Sequence, residues 1–266
     1  MVSRAANTPG AIHIVLQSKG GVGKSFVALH LAQYFADQGL PTAVFDSDPA
    51  TPTLSGYAAL QPRYFNFMSD DDDLDVRQFD VLSTAILDAS KAIVVLDTGS
   101  SNYIPMVSYL KTNRTLRTFS EMGRPVILHS VLVGGASARD TFACLLNIVE
   151  DLAADGYVAW LNSLFGPVVI EDKPIEEFGA FGRVRDKLTG IVRIRERSGG
   201  SNVLQQRAFR EMTRRCLTYK ETLATPEISL WDKQRLWEAR REVNDQLTIL
   251  FGGVVAPVVV SQATQQ

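Results

Sequence analysis

The amino-acid sequence predicts an α/β fold, a mainly parallel twisted sheet with helices on both faces. Three observations lead there. Short apolar runs rich in β-branched residues recur along the chain, continuous rather than alternating, as strands buried on both faces require. Helical stretches lie between them. Of 266 residues, 45% are apolar and 21% charged, which suits a core with a solvated surface and excludes a disordered or collagen-like chain.

The elements follow in order. Residues 1–10 are small and polar and read as a flexible leader, and residues 11–250 as the main domain. Residues 11–16 (AIHIVL) form a first buried strand, followed by a glycine loop. Residues 24–38 are helical, with Val27, Leu31, Tyr34 and Phe35 on one face and Gly39 as the stop. Further strands are expected at 42–45, 93–96, 125–133 and 157–161, with an amphipathic helix over 138–153 between the last two. Asp70 to Asp73, with Asp75, read as a solvated loop, because adjacent carboxylates point apart. A long last helix carries Leu236, Val243, Leu247 and Leu250 at helical spacing, and residues 251–266 form a tail. No internal repeat is visible.

Charge is nearly balanced, 27 Lys+Arg against 29 Asp+Glu, which excludes a wholly basic nucleic-acid coat. The balance hides an asymmetry: residues 183–241 hold 15 Lys+Arg and 7 Asp+Glu. Such a block suits an anionic partner, or simply solvates helices. Arg207, Arg210 and Arg214 fall at i, i+3 and i+7 on one helical face, and with Arg215 and Lys220 they are the DNA-binding candidates. Cys144 and Cys216, each in an apolar helical pattern, cannot build a disulfide framework and suit a reducing cytosol. With no signal-like h-region and no apolar run of about 20 residues, a cytoplasmic protein is expected.

The chemistry is concentrated where strands end, which is where open α/β sheets bind ligands. After the first strand stands Gln17-Ser-Lys-Gly-Gly-Val-Gly-Lys-Ser25. Gly20, Gly21, Val22 and Gly23 can turn backbone N–H groups toward phosphate oxygens, and the following helix adds its positive end through Ser25 and Phe26. Lys24 reaches the β- and γ-phosphates and the Ser25 hydroxyl ligates Mg²⁺. Gly-Gly-x-Gly-Lys-Ser/Thr arises by accident in roughly one such chain in a thousand. The run 93–96 ends in Asp97-Thr-Gly99, a buried strand closed by a carboxylate that acts on Mg²⁺ through water. Gly99 can offer its N–H to the γ-phosphate, making residues 98–102 a nucleotide-sensing segment. The second strand ends in Asp46-Ser-Asp48, whose carboxylates alternation places on one side; the competing role for Asp48 is to cap the turn before Pro49.

Lys19-Gly-Gly-x-Gly-Lys-Ser resembles the deviant Walker A loop of the ParA/MinD superfamily of P-loop ATPases. The resemblance implies that Lys19 reaches phosphates held by a partner subunit, so that ATP and Mg²⁺ are sandwiched in a homodimer. It further implies that Asp48 orients the attacking water, Asp46 supports the metal shell and Asn162 meets the base. A buried turn asparagine is the alternative for Asn162. Two features depart from the family: Ser100 and Ser101 replace prolines common after the aspartate, and the proline expected after residues 191–194 is missing. The segments 46–57, 97–101, 121–123, 134–135 and 160–167 resemble the TraL branch of conjugal-transfer proteins, related to StbB-type plasmid-stability ATPases. That branch implies slow, switch-like hydrolysis serving conjugation or maintenance of a plasmid, through DNA, relaxosome or secretion-system proteins.

Three rivals are weighed. A MinD-like membrane or protein-docking adaptor lacks a basic amphipathic C-terminus here, since residues 251–266 contain no Lys or Arg, so membrane association is not expected. An iron–sulfur reductase needs cysteines near the nucleotide switches, and the two present are wrongly spaced. A tyrosine-kinase relative would carry a C-terminal tyrosine cluster, which is absent.

Overall fold

The computed structural model describes residues 6–68, 75–164, 166–196 and 200–252. Strands β1 (Ile12–Val15), β2 (Thr42–Ser47), β3 (Arg63–Tyr64), β4 (Ile93–Thr98), β5 (Val126–Val133), β6 (Gly156–Asn162) and β9 (Leu188–Ile194) make one sheet. Its order is β3-β2-β4-β1-β5-β6-β9, and every pairing is parallel. A small antiparallel ribbon, β7 (Val169–Ile170) with β8 (Lys173–Pro174), stands apart from it. The expected strands are thus present. The two-residue β3 and the edge strand β9 complete the sheet.

Both faces of the sheet are covered, which explains the continuous apolar runs. Within β4, Val94 and Leu96 join one core and Ile93 and Val95 the other. Helices α2 (Arg77–Asp88), α3 (Tyr103–Thr112), α4 (Thr115–Glu121) and α5 (Ala138–Asp151) pack on the first face through Phe79, Met106, Phe119 and Leu145. The one-turn α6 (Gly182–Arg185) adds Val184 there. Helices α1 (Lys24–Asp37), α7 (Gly200–Arg214), α8 (Tyr219–Ala224) and α9 (Leu230–Phe251) cover the other face.

Helix α1 is not the one-faced helix its spacing suggested. Residues 27–35 are buried without a break. The C-terminal helices form a further layer over it: Phe26 meets the Phe209 ring edge-on at 4.9 Å, the Tyr219 hydroxyl lies 2.8 Å from His30 Nε2, and Arg240 pairs with Asp37. Leu236, Val243 and Leu247 of α9 are buried as the spacing required. Cys216 is not helical; it sits in a turn after α7 with φ near 49°. The part of the leader that is described, residues 6–10, is packed down. Ala6 is buried, and Gly10 accepts from Arg124 Nε at 2.9 Å. The acidic run 70–73 and residues 253–266 of the tail lie outside the described residues. Among the described residues no helix is long and apolar enough to cross a membrane.

A polar chain crosses the core beneath the sheet's centre. His13 Nε2 lies 2.9 Å from the Ala6 carbonyl, so it donates there and leaves Nδ1 as an acceptor. His129 Nε2 must then donate to His13 Nδ1, 2.9 Å away, and His129 Nδ1 accepts from Trp160 Nε1–H at 3.0 Å. Each ring nitrogen is satisfied, but only while both imidazoles are neutral. Burial depresses His13 from 6.5 to about 4 and, with Arg240 nearby, His30 to about 3. The unfolded chain binds these protons more readily, so the stabilisation is complete above pH 6.5 and lost as pH falls through the folded values. For His13 the loss is on the order of 3 kcal/mol once the pH is below 4. Asp97 works the other way over the same range, because burial raises it to about 7. The histidine share is therefore read as a difference: His30→Gln, which keeps a partner for Tyr219, should lose less melting temperature than the parent between pH 6.5 and 4.5, and an equal loss in both would contradict this assignment.

Candidate functional site

Register brings the strand ends together. Asp46 of β2 and Val15 of β1 both pair with Asp97 of β4, so the glycine loop leaves β1 beside both carboxylates. At this carboxyl edge lies a cavity of about 420 Å³. It is lined by Gly20, Gly21, Gly23, Lys24, Ser25 and Phe26 from the loop and α1, by Asp48 and Ser100 from the neighbouring turns, and by Asn162 at the end of β6.

The loop is held from below. Gln17 is fully buried; its Nε2 donates to the Val131 carbonyl at 2.9 Å, and its Oε1 accepts from Ser18 Oγ at 3.3 Å. Gly23 begins α1 at φ 102°, a left-handed conformation that a side chain resists, and a Cβ there would stand 2.8 Å from Asn162 Nδ2. That same amide donates to the Val22 carbonyl at 2.9 Å, and Asn162 Oδ1 accepts from Leu164 N. Asn162 therefore braces the loop with the groups expected to read a base.

Lys24 is buried, and its ammonium donates to the Lys19 carbonyl at 3.1 Å. Burial lowers its pKa, while Asp97 and Asp48 pull the other way. Lys19 does not line its own cavity. Its ammonium pairs with Asp140 at 3.0 Å, and both side chains are about half exposed.

The two aspartates after β2 part company. Asp46 is fully buried, and its Oδ2 accepts from Ser55 N and Ser55 Oγ at 2.8 and 2.9 Å. The strand stops at Ser47, so Asp48 belongs to the turn, where its Oδ1 accepts from Ala50 N and Thr51 N. Asp48 thus caps its turn and lines the cavity at once. It also occupies the space a side chain at position 99 would need: a Cβ on Gly99 would lie 2.7 Å from Asp48 Oδ1 and 3.1 Å from its Cα. Neighbouring residues are tied down, Thr98 to the Val15 carbonyl at 2.6 Å and Asn102 to that of Ser47 at 2.6 Å.

Asp97 differs from every other acid near the site. It is fully buried, and neither carboxyl oxygen makes a hydrogen bond. Burial pushes it up to about 7, against the pull of the Ser25 hydroxyl and the Lys24 ammonium. An orphaned carboxylate beside a hydroxyl fits a hard cation such as magnesium, which takes one or two protein oxygens and leaves the rest to water and phosphate. The residues present fit that ion.

A family model described as the CobQ/CobB/MinD/ParA nucleotide binding domain matches residues 13–193. The chain belongs to this family. Two Escherichia coli proteins, each called Protein TraL, are 34% identical to it over 240 residues, covering 89% of this chain and 96% of each relative. A chain of the MinC:MinD cell division protein complex of Aquifex aeolicus shares the fold, with a TM-score of 0.53 at 14% identity over 92% of this chain and 98% of that one. The CobQ/CobB/MinD/ParA family is a nucleotide-binding one by that description, and the glycine loop described above lies within the matched segment.

Arg207, Arg210 and Arg214 lie on α7 as the spacing suggested, exposed, and most of the basic group is ion-paired at the surface. Arg207 pairs with Asp232 of α9 at 2.9 Å, and Arg214 and Arg215 both pair with Glu211. Arg210 lines the cavity, and Lys220 is exposed on α8. Sequence reasoning missed the cavity wall supplied by α7, residues Gln206, Phe209 and Thr213, although they share the i, i+3, i+7 spacing. It also missed Ser55 and Gln17, whose roles carry no pattern of their own.

Proposed function

We propose that the chain is an Mg-ATP-dependent switch ATPase that dimerises around its nucleotide and serves conjugative transfer, or the maintenance and positioning of a plasmid or other mobile element. The observation that carries this reading is the convergence on one cavity of a glycine loop, a buried lysine and a turn aspartate, with the orphaned Asp97 on the strand beside them. The relatives called TraL support the setting.

In this reading the loop N–H groups, Lys24 and Ser25 hold the phosphates, and Asp48 orients the attacking water. Asp97 and Asp46 would hold magnesium, with Ser25, and the bound ion would supply neutralising charge on the β- and γ-phosphate oxygens. Lys19, which points away from its own cavity, completes the site of a second copy as a positive charge in trans. Hydrolysis is then a timer: contacts made only with the γ-phosphate favour the closed dimer, and their loss releases its partner. The setting is cytoplasmic.

DNA contact would rest on Arg207, Arg210, Arg214, Arg215 and Lys220; Arg207, Arg214 and Arg215 face carboxylates in surface pairs, which a DNA phosphate would have to displace. The second version is an adaptor that docks a protein partner in its ATP state without touching DNA. Light scattering on a hydrolysis-deficient variant should give a dimer mass in Mg-ATP and a monomer mass in Mg-ADP. Anisotropy of a labelled DNA duplex across a salt series then separates the two versions. Equal mass and equal partner affinity in both nucleotides would refute the switch.

A further inference from the structure

We propose that one face of α7 is the base seat of the nucleotide cavity, and that Phe209 and Arg210 hold a purine there by stacking. This rests on the nucleotide-binding reading and adds the residues that decide which nucleotide is held.

The glycine loop occupies one end of the cavity. Gln206, Phe209, Arg210 and Thr213 supply another wall, and their i, i+3, i+4, i+7 spacing makes them a single helical stripe. That stripe is anchored to the phosphate end. Phe209 packs edge-on against Phe26, the residue after Ser25, with ring centroids 4.9 Å apart. Gln206 Nε2 donates to the Leu164 carbonyl, two residues beyond Asn162, and its Oε1 accepts from Arg210 at 3.4 Å. The wall is therefore fixed, with one aromatic ring, Phe209, flanked by the guanidinium of Arg210 and by the polar side chains of Gln206 and Thr213.

Arg210 differs from the arginines around it. Arg207, Arg214 and Arg215 are each paired with a carboxylate, whereas no carboxylate pairs with Arg210 among the described residues. A guanidinium with no carboxylate partner, next to an aromatic ring, takes a flat π-system well, through stacking and cation–π attraction. Asn162, by contrast, has its amide engaged by Val22 and Leu164. Recognition by ring area rather than by base-edge hydrogen bonds follows, and it favours purines over pyrimidines.

Calorimetry with Mg²⁺ complexes of ATP, GTP, CTP and inorganic tripolyphosphate tests this. The wild-type chain should bind ATP and GTP more tightly than CTP. Arg210→Ala should weaken ATP by about 10-fold while leaving tripolyphosphate unchanged. Phe209→Leu, which keeps the packing on Phe26 better than alanine would, should narrow the gap between ATP and CTP. Equal weakening of ATP and tripolyphosphate would make Arg210 a phosphate contact and overturn the proposal. So would loss of duplex DNA binding in Arg210→Ala with ATP affinity intact. A wild-type chain that binds tripolyphosphate and all three nucleotides equally removes the base seat but keeps the phosphate site. One that binds no triphosphate at all removes the nucleotide reading with it.

Discussion

Lys24→Ala is expected to lower ATP affinity by about 100-fold or more while leaving the fold intact. The affinity loss follows from position. Lys24 opens α1 inside the cavity, and its ammonium is the buried cation among the loop's backbone donors. In such a site a charge counts for more than it would in water, because little solvent is present to screen it. The intact fold follows from the same burial. The side chain's one hydrogen bond goes to the Lys19 carbonyl, desolvation already disfavours its charge, and Asp97, which loses an attracting cation, is already raised to about 7 and can take a proton instead. Removing the lysine relieves that cost and leaves one carbonyl to water entering the cavity. Titration with a fluorescent ATP analogue and a thermal melt would show the split. Binding within threefold of the parent would mean that the phosphates sit elsewhere.

Asp48→Asn should separate binding from hydrolysis. An asparagine oxygen can still accept from Ala50 N and Thr51 N, so the turn that Asp48 caps survives. What disappears is the negative charge that would orient and polarise the attacking water, a contribution typically worth about 100-fold or more. ATP should bind as before, and phosphate release in steady state should drop by at least about that factor. Asp48→Ala is a poorer probe, because it loses the cap and the charge together. Phosphate release by Asp48→Asn at the parental rate would show that another group handles the water.

How much of this was legible in the sequence depends on how local the signal is. The glycine loop, Lys24 and Ser25, and Asp97 after four buried residues are contiguous strings whose physics acts within the string; the loop, Lys24 and Ser25 line the cavity, and Asp97 ends up buried beside it. The sheet was legible for the same reason: two-sided burial writes itself into each strand as an unbroken apolar run. What was hidden comes from distant parts of the chain. Burial of α1 on all sides needs α8 and α9, roughly 200 residues later in the chain, and no window around α1 contains them. The histidine chain joins residues separated by 116 positions. For the arginine stripe, spacing gives the helical face but not what that face meets. Asp232 and Glu211 pair with three of the arginines at the surface, and Arg210 lines the cavity.

The contact between Gly99 and Asp48 has a consequence for how information moves through the molecule. Their two segments leave different strands and would ordinarily be free to respond separately, one to the end of the phosphate chain and the other to water. Here the carboxylate of one fills the volume that a methyl group on the other would occupy. Neither can shift toward the other unless the other gives way. Under the proposed function, a segment sensing the phosphate chain and a residue orienting water would then have to close together, and the closed state would stand for both events at once rather than for either alone.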